Sequence, residues 1–255
     1  MKATNLKIKL IKEALITNGS VNVLTLAKDL SVSEVSIRKY LSELEKQQFC
    51  IRTHGGAVLV QQVSRANDVL AFDQKKADIA SLAASLIPAG ARIILDSGTT
   101  TAQMLPFLQK IPNLVVMTNS LPVATALTEY SKNATVLMCG GTWDPMSQSF
   151  QGQMSEKMIA SYNFEMAFVG ASGIDLAQGT TTFHELTKLS QVMSAVSEQT
   201  IVLAESNKLS KKMPNLELPW ANISTLVTDN LINEDAVHQI EQKGVVVRTT
   251  SQKEK

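Results

Sequence analysis

Apolar residues in the first sixty positions recur at the spacing of short helices. Ile8, Ile11 and Leu15 follow one another at helical intervals, and Gly19 follows as a stop signal. Residues 24–30 form a second apolar segment with helical spacing, and a polar turn of three residues comes after it. These patterns predict two successive helices and a tight turn that leads into a third element.

The third element is predicted to be a helix over residues 34–47. Ser33 is suited to cap its first turn, and Glu34 lies where the helix dipole favours an acid. Its inner face is predicted to be apolar, supplied by Val35, Leu41 and Leu44, with Ile37 nearby. Two helices joined by a short turn are typical of the helix-turn-helix, whose second helix lies in the major groove of DNA.

A helix that enters the major groove needs small or hydrogen-bonding side chains at its start. The third helix meets this requirement, and we predict DNA contacts from Ser33, Ser36, Arg38 and Lys39. Arginine can reach a guanine edge or a phosphate, whereas Lys39 is expected to meet phosphate.

Residues 49–60 predict a β-hairpin directly after this helix. Two short apolar runs flank Thr53-His-Gly-Gly56, and glycines at a hairpin tip allow a positive φ. Such a hairpin is a wing, and its candidate DNA contacts are Arg52, His54 and Gly55. His54 could instead merely pack at the turn. Residues 1–60 are therefore predicted to form a winged helix-turn-helix domain, and residues 61–74 a linker.

From residue 75 to residue 255 the pattern changes to alternating strands and helices. Seven short apolar runs predict strands, at 91–95, 114–117, 135–138, 165–169, 200–204, 225–227 and 244–247. Helical patterns separate most of them, at 76–87, 121–130, 183–198 and 234–242. This alternation predicts a larger α/β domain built on a mostly parallel sheet.

The residues that follow the apolar runs carry the candidate chemistry of this larger domain. In open α/β sheets ligands bind at the carboxyl ends of the strands, where backbone N–H groups and hydroxyls can hold an anion. We expect Lys208 to add a positive charge, and Asp96 and Asn119 to bind sugar hydroxyls. The candidate effector-binding residues are Asp96, Ser97, Gly98, Thr99, Thr100, Thr101, Thr118, Asn119, Ser120, Gly140, Gly141 and Lys208.

The chemistry of these loops favours a small, hydroxyl-rich phosphate ester as the ligand. The segment Asp96-Ser-Gly-Thr-Thr-Thr101 is neither a Walker loop nor a dinucleotide fingerprint, since it lacks the Gly-Lys-Ser/Thr and G-x-G-x-x-G patterns. Any one of the loops could instead be an ordinary turn. We predict no cofactor.

Charge is distributed unevenly along a chain whose formal net charge is +1. The first 60 residues carry nine Lys and Arg against five Asp and Glu, whereas the other 195 carry 15 basic and 18 acidic residues. A basic head suits a polyanionic partner, although such an excess can also be an ordinary surface fluctuation.

The remaining composition narrows the setting of the protein. Cys50 and Cys139 are far apart in apolar runs, so we expect both to be reduced and buried. The three histidines show no metal-ligand spacing with them, and we predict no metal site. Neither a secretory signal nor a membrane-length apolar stretch is present, which predicts a cytoplasmic location.

Two motifs in the head resemble those of the DeoR family of bacterial repressors. They are Ser33-x-x-Ser-Ile-Arg-Lys-x-Leu41 and Arg52-Thr-His-Gly-Gly-Ala57. The chain departs from the family pattern with Lys7 where Arg is common, Ser36 where Thr is usual, and Tyr40 where Asp is usual.

The larger domain resembles the DeoR effector domain, which is similar in fold to ribose-5-phosphate isomerase and glucosamine-6-phosphate deaminase. The matching motifs are Leu95-Asp-Ser-Gly-Thr-Thr-Thr, Met117-Thr-Asn-Ser-Leu, Gly140-Gly, Phe168-Val-Gly-Ala-Ser-Gly-Ile-Asp and Ser206-Asn-Lys. Glu205 stands where the family usually has Asp. The resemblance implies a phosphorylated-sugar inducer. Ser147-Gln-Ser-Phe150 and Thr181-Thr-Phe-His-Glu185 look most like the N-acetylgalactosamine and glucitol branch, which favours an amino-sugar or hexitol phosphate.

The sequence is compatible with three functions. The first is a repressor that binds operator DNA as a homo-oligomer, a dimer or tetramer, and is released by a sugar or polyol phosphate. The second is a sugar-phosphate isomerase or deaminase, for which Asp96, Asp175, His184 and Glu185 are candidate bases. The third is a sugar-phosphate-binding module whose head contacts protein. The DNA-reading head favours the first, because a metabolic isomerase has no use for it.

Overall fold

The structure is a computed structural model that describes residues 2–18, 20–47, 49–53, 55–59, 69–130, 134–145, 147–182, 184–211 and 213–251. The chain forms two compact units, Met1–Gln62 and Val63–Lys255. His54 and most of the predicted linker lie outside the described residues.

The first unit is a winged helix-turn-helix, as predicted. Three helices, α1 (Lys2–Asn18), α2 (Val23–Asp29) and α3 (Glu34–Lys46), accompany three strands, β1 (Ser20–Asn22), β2 (Cys50–Thr53) and β3 (Gly56–Leu59). The strands form an antiparallel sheet in the order β1-β3-β2. The core is apolar and consists of Ile11, Leu15, Val23, Leu26, Ile37, Leu41, Leu44, Cys50 and Ala57.

The inner face of α3 differs from the prediction at one position. Ile37, Leu41 and Leu44 are buried at helical spacing in the core, whereas Val35 is 73% exposed. A helix buries one stripe, and Val35 lies two residues from Ile37, which places it on the other side of the helix. The assignment of Val35 to the inner face was therefore wrong.

Gly56, the first residue of β3 in the wing, has a different role from the predicted one. Gly56 does not adopt a left-handed φ. Instead it pairs with Asn22 across the sheet, and an added Cβ would lie 1.9 Å from the carbonyl oxygen of Val21. Glycine is needed here because two backbones approach closely.

The second unit is built on seven parallel strands, and each of the seven predicted apolar runs contributes one. They are β4 (Arg92–Leu95), β5 (Val115–Thr118), β6 (Thr135–Met138), β9 (Phe164–Gly170), β12 (Ser197–Leu203), β14 (Thr225–Thr228) and β15 (Val246–Thr249). Their order is β15-β14-β12-β9-β4-β5-β6, with parallel pairing throughout. The fold class is the predicted one.

Helices cover both faces of this sheet. They are α4 (Gln74–Ala84), α5 (Thr99–Ala102), α6 (Leu105–Leu108), α7 (Leu121–Tyr130), α8 (Gln153–Ile159), α9 (His184–Ala195) and α10 (Glu234–Glu241). Successive strand residues face opposite sides, so Ile93 and Leu95 pack into one apolar cluster and Ile94 into the other. Both clusters are buried, which explains the near-continuous apolar character of the strands.

Two smaller sheets and two 3-10 turns were not predicted. A hairpin joins β7 (Thr142–Asp144) to β8 (Ser149–Gln151), and a second sheet has the order β10-β11-β13, from Gly173–Asp175, Gly179–Thr182 and Asn215–Pro219. The 3-10 turns are Ser206–Ser210 and Trp220–Asn222. These strands are short and mostly polar, so they lack the pattern that identified the main sheet.

Two further findings concern the cysteines and the helices. Cys50 and Cys139 are buried and free of disulfide bonds, as predicted. Within the described part of the chain, none of the helices combines the length and the apolar character needed to cross a bilayer.

Candidate DNA interface and effector site

The start of α3 is fixed by its own cap. The Ser33 hydroxyl accepts a hydrogen bond from the backbone N–H of Ser36 at 3.2 Å, and the two hydroxyls lie 3.0 Å apart. Ser33 is exposed and Ser36 half-exposed. The cap satisfies one of the free N–H groups at the helix start, as expected from the sequence.

The two predicted cations of α3 have different surroundings. Arg38 Nη2 lies 3.0 Å from Glu34 Oε2, one helical turn earlier, and both side chains are partly exposed. An exposed pair of this kind contributes a few tenths of a kcal/mol, so a phosphate or guanine can replace the glutamate. Lys39 is exposed on the outer surface of the helix.

The wing is tied to the helices by the Glu45 carboxylate and by one backbone hydrogen bond. Arg52 N–H donates to Glu45 Oε1 at 3.1 Å, and Arg52 Nη1 lies 3.8 Å from Glu45 Oε2. Val23 N–H donates to the carbonyl oxygen of Gly55 at 2.9 Å, which links the wing tip to the start of α2. Tyr40, where the family usually has Asp, is partly buried against the core of the head.

The strand order creates a topological switch point in the larger unit. The chain moves from β4 through β5 to β6 on one side, and from β9 through β12 and β14 to β15 on the other. The loops after β4 and β9 therefore leave in opposite directions and open a crevice between them. The segment 96–101 lies at this point, where a ligand site is expected in such a sheet.

Asp96 joins the two loops at the switch point. Its carboxylate accepts hydrogen bonds from Gly98 N–H at 2.8 Å, Gly170 N–H at 2.6 Å and the Thr101 hydroxyl. Burial raises the pKa of Asp96, and these three donors oppose that rise. The carboxylate thus holds the shape of the loops.

The five predicted residues that follow Asp96 divide into accessible and buried groups. Ser97, Gly98 and Thr99 are partly exposed at the crevice, whereas Thr100 and Thr101 are buried. The Thr101 hydroxyl also donates to the carbonyl oxygen of Gly98 at 2.8 Å, so it is committed to the loop.

Within the described part of the chain, two buried polar atoms after β5 have no hydrogen-bond partner. They are Asn119 Oδ1 and Ser120 Oγ, on residues that are at most 1% exposed. Asn119 Nδ2 donates to the carbonyl oxygen of Phe150 at 3.3 Å, which fixes the amide so that Oδ1 is the free atom. Thr118, also buried, accepts from Ser120 N–H at 3.1 Å. Unpaired buried acceptors are costly, so they mark a place for a partner.

The hairpin β7–β8 lies against this segment. Phe150 N–H donates to the carbonyl oxygen of Asn119 at 2.8 Å, and Leu121 N–H donates to that of Gln148 at 3.2 Å. The motif at 147–150, which carried the resemblance to the amino-sugar and hexitol branch, therefore contacts the Asn119 loop directly.

The glycine pair after β6 is shaped by packing. The Ser155 hydroxyl donates to the Gly140 carbonyl oxygen at 2.7 Å. Gly141 has a φ of +150°, and a Cβ there would lie 2.2 Å from Ser155 Oγ and 2.6 Å from the Gln151 carbonyl oxygen. Space around Gly140 is open.

Lys208 is a half-buried cation on the 3-10 turn after β12. Burial lowers its pKa to about 8, and Lys211 and Lys76 lower it further while Glu205 opposes them. Among the described residues no carboxylate lies within ion-pair distance of its ammonium. A cation in this state gains from an anionic ligand.

Sequence reasoning missed one buried acid near this edge of the sheet. Glu217 on β13 is 4% exposed, its Oε1 accepts from the Ser190 hydroxyl at 2.7 Å, and its Oε2 has no hydrogen-bond partner among the described residues. Burial raises its pKa to about 7, and the charge of Asp96 adds to that rise. It lies in the apolar run Leu216-Glu-Leu218, whose only sequence signal is the unexpected charge.

Among the residues proposed as catalytic bases, Asp175 hydrogen-bonds the backbone N–H of Ala177 at 2.9 Å and shapes a turn. The side chains of His184 and Glu185 lie outside the described set. In the described part of the chain, no cluster of three His, Cys, Asp or Glu side chains is arranged to hold a metal ion.

Comparisons with known proteins cover almost the whole chain. The model of the DeoR-like helix-turn-helix domain matches residues 7–63, and that of the DeoR C-terminal sensor domain matches residues 72–230. A putative aga operon transcriptional repressor from Escherichia coli O157:H7 is 34% identical over 93% of this chain and 90% of its own. The uncharacterised HTH-type regulator YulB of Bacillus subtilis is 33% identical over 93% of each chain.

One solved structure with similarity to the chain is ribose 5-phosphate isomerase A from Methanocaldococcus jannaschii. It has a TM-score of 0.38 and 17% identity, and the match covers 56% of this chain and 54% of that one. The relatives named above are transcriptional regulators, so the prediction of a regulator rather than an enzyme is confirmed. Both family models and the 34% identity to the aga repressor establish that this chain belongs to the DeoR family of DNA-binding transcriptional regulators.

Proposed function

We propose that this protein represses a carbohydrate catabolic operon and is released from its operator by a phosphorylated sugar or polyol. The half-buried ammonium of Lys208, which has no ion-pair partner among the described residues and stands at the ligand-binding edge of the sheet, carries the proposal. The names of the relatives, a putative aga operon repressor and the regulators GlpR of Haloferax volcanii and IolR of Bacillus subtilis, support it.

The operator contacts are assigned to the exposed polar surface of the head. Arg38 binds a guanine edge or a phosphate after release from Glu34, and Lys39 binds phosphate. The serines at the start of α3 fit close to the groove because they are small. The wing supplies backbone or minor-groove contacts from Arg52, His54 and Gly55.

The effector contacts are assigned to the strand ends. Lys208 binds the phosphate, with Ser97, Gly98 and Thr99 as accessible hydrogen-bonding groups. Asn119 Oδ1 and Ser120 Oγ accept the donors of a ligand that reaches beneath the β7–β8 hairpin. The other predicted residues keep the loops in shape: Asp96, Thr100, Thr101, Thr118, Gly140 and Gly141.

An amino-sugar phosphate or a hexitol phosphate fits this assignment of contacts. One end of either ligand is a phosphate, and the rest is rich in hydroxyl or amine donors. The contact between residues 147–150 and the Asn119 loop supports this class, because those residues carried the resemblance to the corresponding branch of the family.

Release is proposed to work by population shift in a cytoplasmic homo-oligomer, a dimer or tetramer. Residues 1–60 read repeated half-sites, residues 61–74 connect them to the effector domain, and residues 75–255 bind the sugar phosphate. The ligand binds one arrangement of the effector domains better and moves the heads out of register with the half-sites.

Two variants test the division between the units. Arg38→Ala should weaken operator binding about ten- to a hundredfold, in line with loss of a bidentate base contact, and leave effector binding unchanged. Lys208→Ala should keep operator binding and lose release by the sugar phosphate. Fluorescence anisotropy with the chain's own upstream DNA measures operator binding by both variants and its release by added ligand, and a thermal-shift panel of glucosamine, galactosamine and glucitol 6-phosphates measures their effector binding.

Each outcome bears on a different assignment. Normal release of the Lys208 variant would show that the phosphate site is elsewhere. Absence of a specific, salt-sensitive DNA complex would contradict the repressor function and favour a head that contacts protein.

A further inference from the structure

Val35 is a large apolar side chain in an unusual place. It is the second residue of α3 and is 73% exposed; Glu34 separates it from the Ser33 cap, and the half-exposed Ser36 follows it. The head does not need it for folding, since the core is filled from the opposite side of the helix by Ile37, Leu41 and Leu44. An exposed β-branched residue also lowers helix propensity relative to alanine.

The residues that share a face with Val35 are polar or cationic. Helical spacing places Lys39 one turn after it, Ser42 two turns after it and Lys46 three turns after it. Lys39 and Lys46 are exposed, and Arg38 is exposed at the flank of this face. The valine methyls therefore lie near two cations that attract a phosphate backbone, Lys39 and Arg38, of which Arg38 is paired with Glu34.

The major groove offers an apolar partner for such a side chain. Base edges there present hydrogen-bond donors and acceptors together with one apolar group, the 5-methyl group of thymine. Arg38 and Lys39, about one turn after Val35, suit a phosphate that borders the groove. Val35 itself lies at the start of α3, and the first residues of such a helix contact base edges.

We propose that Val35 is a specificity-determining residue, and that its side chain packs against the 5-methyl group of one thymine in each operator half-site. The inference rests on the proposed role of α3 as the helix that enters the groove. It assigns sequence preference to a residue with no polar group, whereas Lys39 contributes affinity that does not depend on sequence.

The experiment begins with selection of operator sites from random duplexes by the full-length protein. Each thymine of the selected half-site is then replaced by deoxyuridine, which removes only the 5-methyl group. Anisotropy titrations are made with the wild-type protein, Val35→Ala, Val35→Thr and Lys39→Ala. Val246→Ala, at a half-exposed valine of the other unit, is the matched control.

We expect the Val35→Ala substitution and the removal of one particular thymine methyl group to weaken binding non-additively. Removal of one thymine methyl should weaken wild-type binding about fourfold, as expected for one buried methyl group. Val35→Ala should lose a similar factor on the thymine duplex and show no further loss on the uridine duplex. Val35→Thr should retain part of the preference, because it keeps one methyl group.

The controls separate this inference from the proposed function. Lys39→Ala should bind all duplexes more weakly, with a shallower salt dependence, and keep the uridine penalty. Val246→Ala should match the wild type throughout. If Val35→Ala keeps both its affinity and every uridine penalty, the contact does not exist, although DNA binding stands. If selection enriches no site, the repressor function itself fails and the contact fails with it.

Discussion

At the scale of single residues, buried ionisable groups distinguish the larger unit from an ordinary α/β core. Glu217 lies on β13, its Oε1 accepts a hydrogen bond from Ser190 on α9, and its Oε2 has no partner in the part of the chain that the structure describes. Its pKa is raised to about 7, mainly by burial, with Asp96 as the charged neighbour that adds to the rise and Thr180 as an opposing hydroxyl. The folded state therefore holds a proton that the unfolded chain releases at lower pH.

This proton makes stability depend on pH in a defined direction. The pKa of Glu217 is higher in the folded state, about 7, than its ordinary value of 4.5. The stabilising effect is complete below about pH 4.5 and disappears as the pH rises through 7, with a total of about 3 kcal/mol. Glu217→Gln keeps a neutral group of the same shape, so it should match the wild type at pH 5 and be more stable at pH 8.

Urea denaturation at the two pH values measures this difference. Glu129→Gln, at an exposed glutamate of α7, is the control and should leave the pH dependence of the wild type intact. A Glu217→Gln variant that loses stability between pH 5 and pH 8 as steeply as the wild type would show that another group holds the proton.

At the scale of elements, the sequence was informative where one physical demand dominates. Strands buried on both faces must be apolar, so all seven strands of the main sheet were predicted from their composition. The β11 strand is Gly179-Thr-Thr-Thr182, which is buried yet polar, and no pattern announces it. The prediction for the inner face of α3 was wrong at Val35 for a related reason, because residue type alone does not distinguish an exposed valine from a buried one.

The geometry of the wing depends on the absence of a side chain at Gly56. Gly56 begins β3 opposite Asn22, and an added Cβ would meet the Val21 carbonyl oxygen at 1.9 Å and its carbon at 2.9 Å. Both atoms belong to the backbone, so relief requires movement of β1 or β3. Gly56→Ala should therefore destabilise the head by about 2 kcal/mol or more.

The neighbouring glycine supplies the control for this prediction. A Cβ at Gly55 would meet only Asn22 Nδ2, at 3.9 Å, which is an ordinary contact. Gly55→Ala should unfold close to the wild-type midpoint in thermal denaturation followed by circular dichroism. Equal midpoints for the two alanine variants would mean that the wing accommodates a side chain at Gly56 without strain.

At the scale of the whole molecule, the sequence identified the edge of the sheet that carries the candidate site but not the site itself. Strand-end loops are visible in a sequence, whereas the switch point between β4 and β9 depends on a strand order that only the folded chain defines. Threonines that look equivalent in the sequence then separate, because Thr99 is accessible while Thr101 is buried and bonded to Asp96. Lys208, which has no ion-pair partner among the described residues, was named from the sequence, but its burial was not.

The division into two units makes the proposed switch a problem of thermodynamic linkage. DNA contacts are assigned to Met1–Gln62 and effector contacts to Val63–Lys255, so the two ligands are assigned to different units. The effect of each ligand on the affinity for the other is then a coupling free energy, which is equal in both directions. A coupling of about 1–3 kcal/mol, or roughly 5- to 150-fold in affinity, is typical of such systems.

Reciprocity gives a test that needs no knowledge of the conformational change. Calorimetric titration of the strongest ligand from the sugar-phosphate panel should show weaker binding to the operator-saturated protein than to the free protein. The ratio should equal the loss of operator affinity at saturating ligand, because the two paths around the cycle share the same end states. Arg38→Ala, which binds operator poorly, should show no change of effector affinity on addition of the same DNA. If the ligand binds the operator-saturated protein and the free protein with the same affinity, the two sites are not coupled and the proposed release mechanism is wrong.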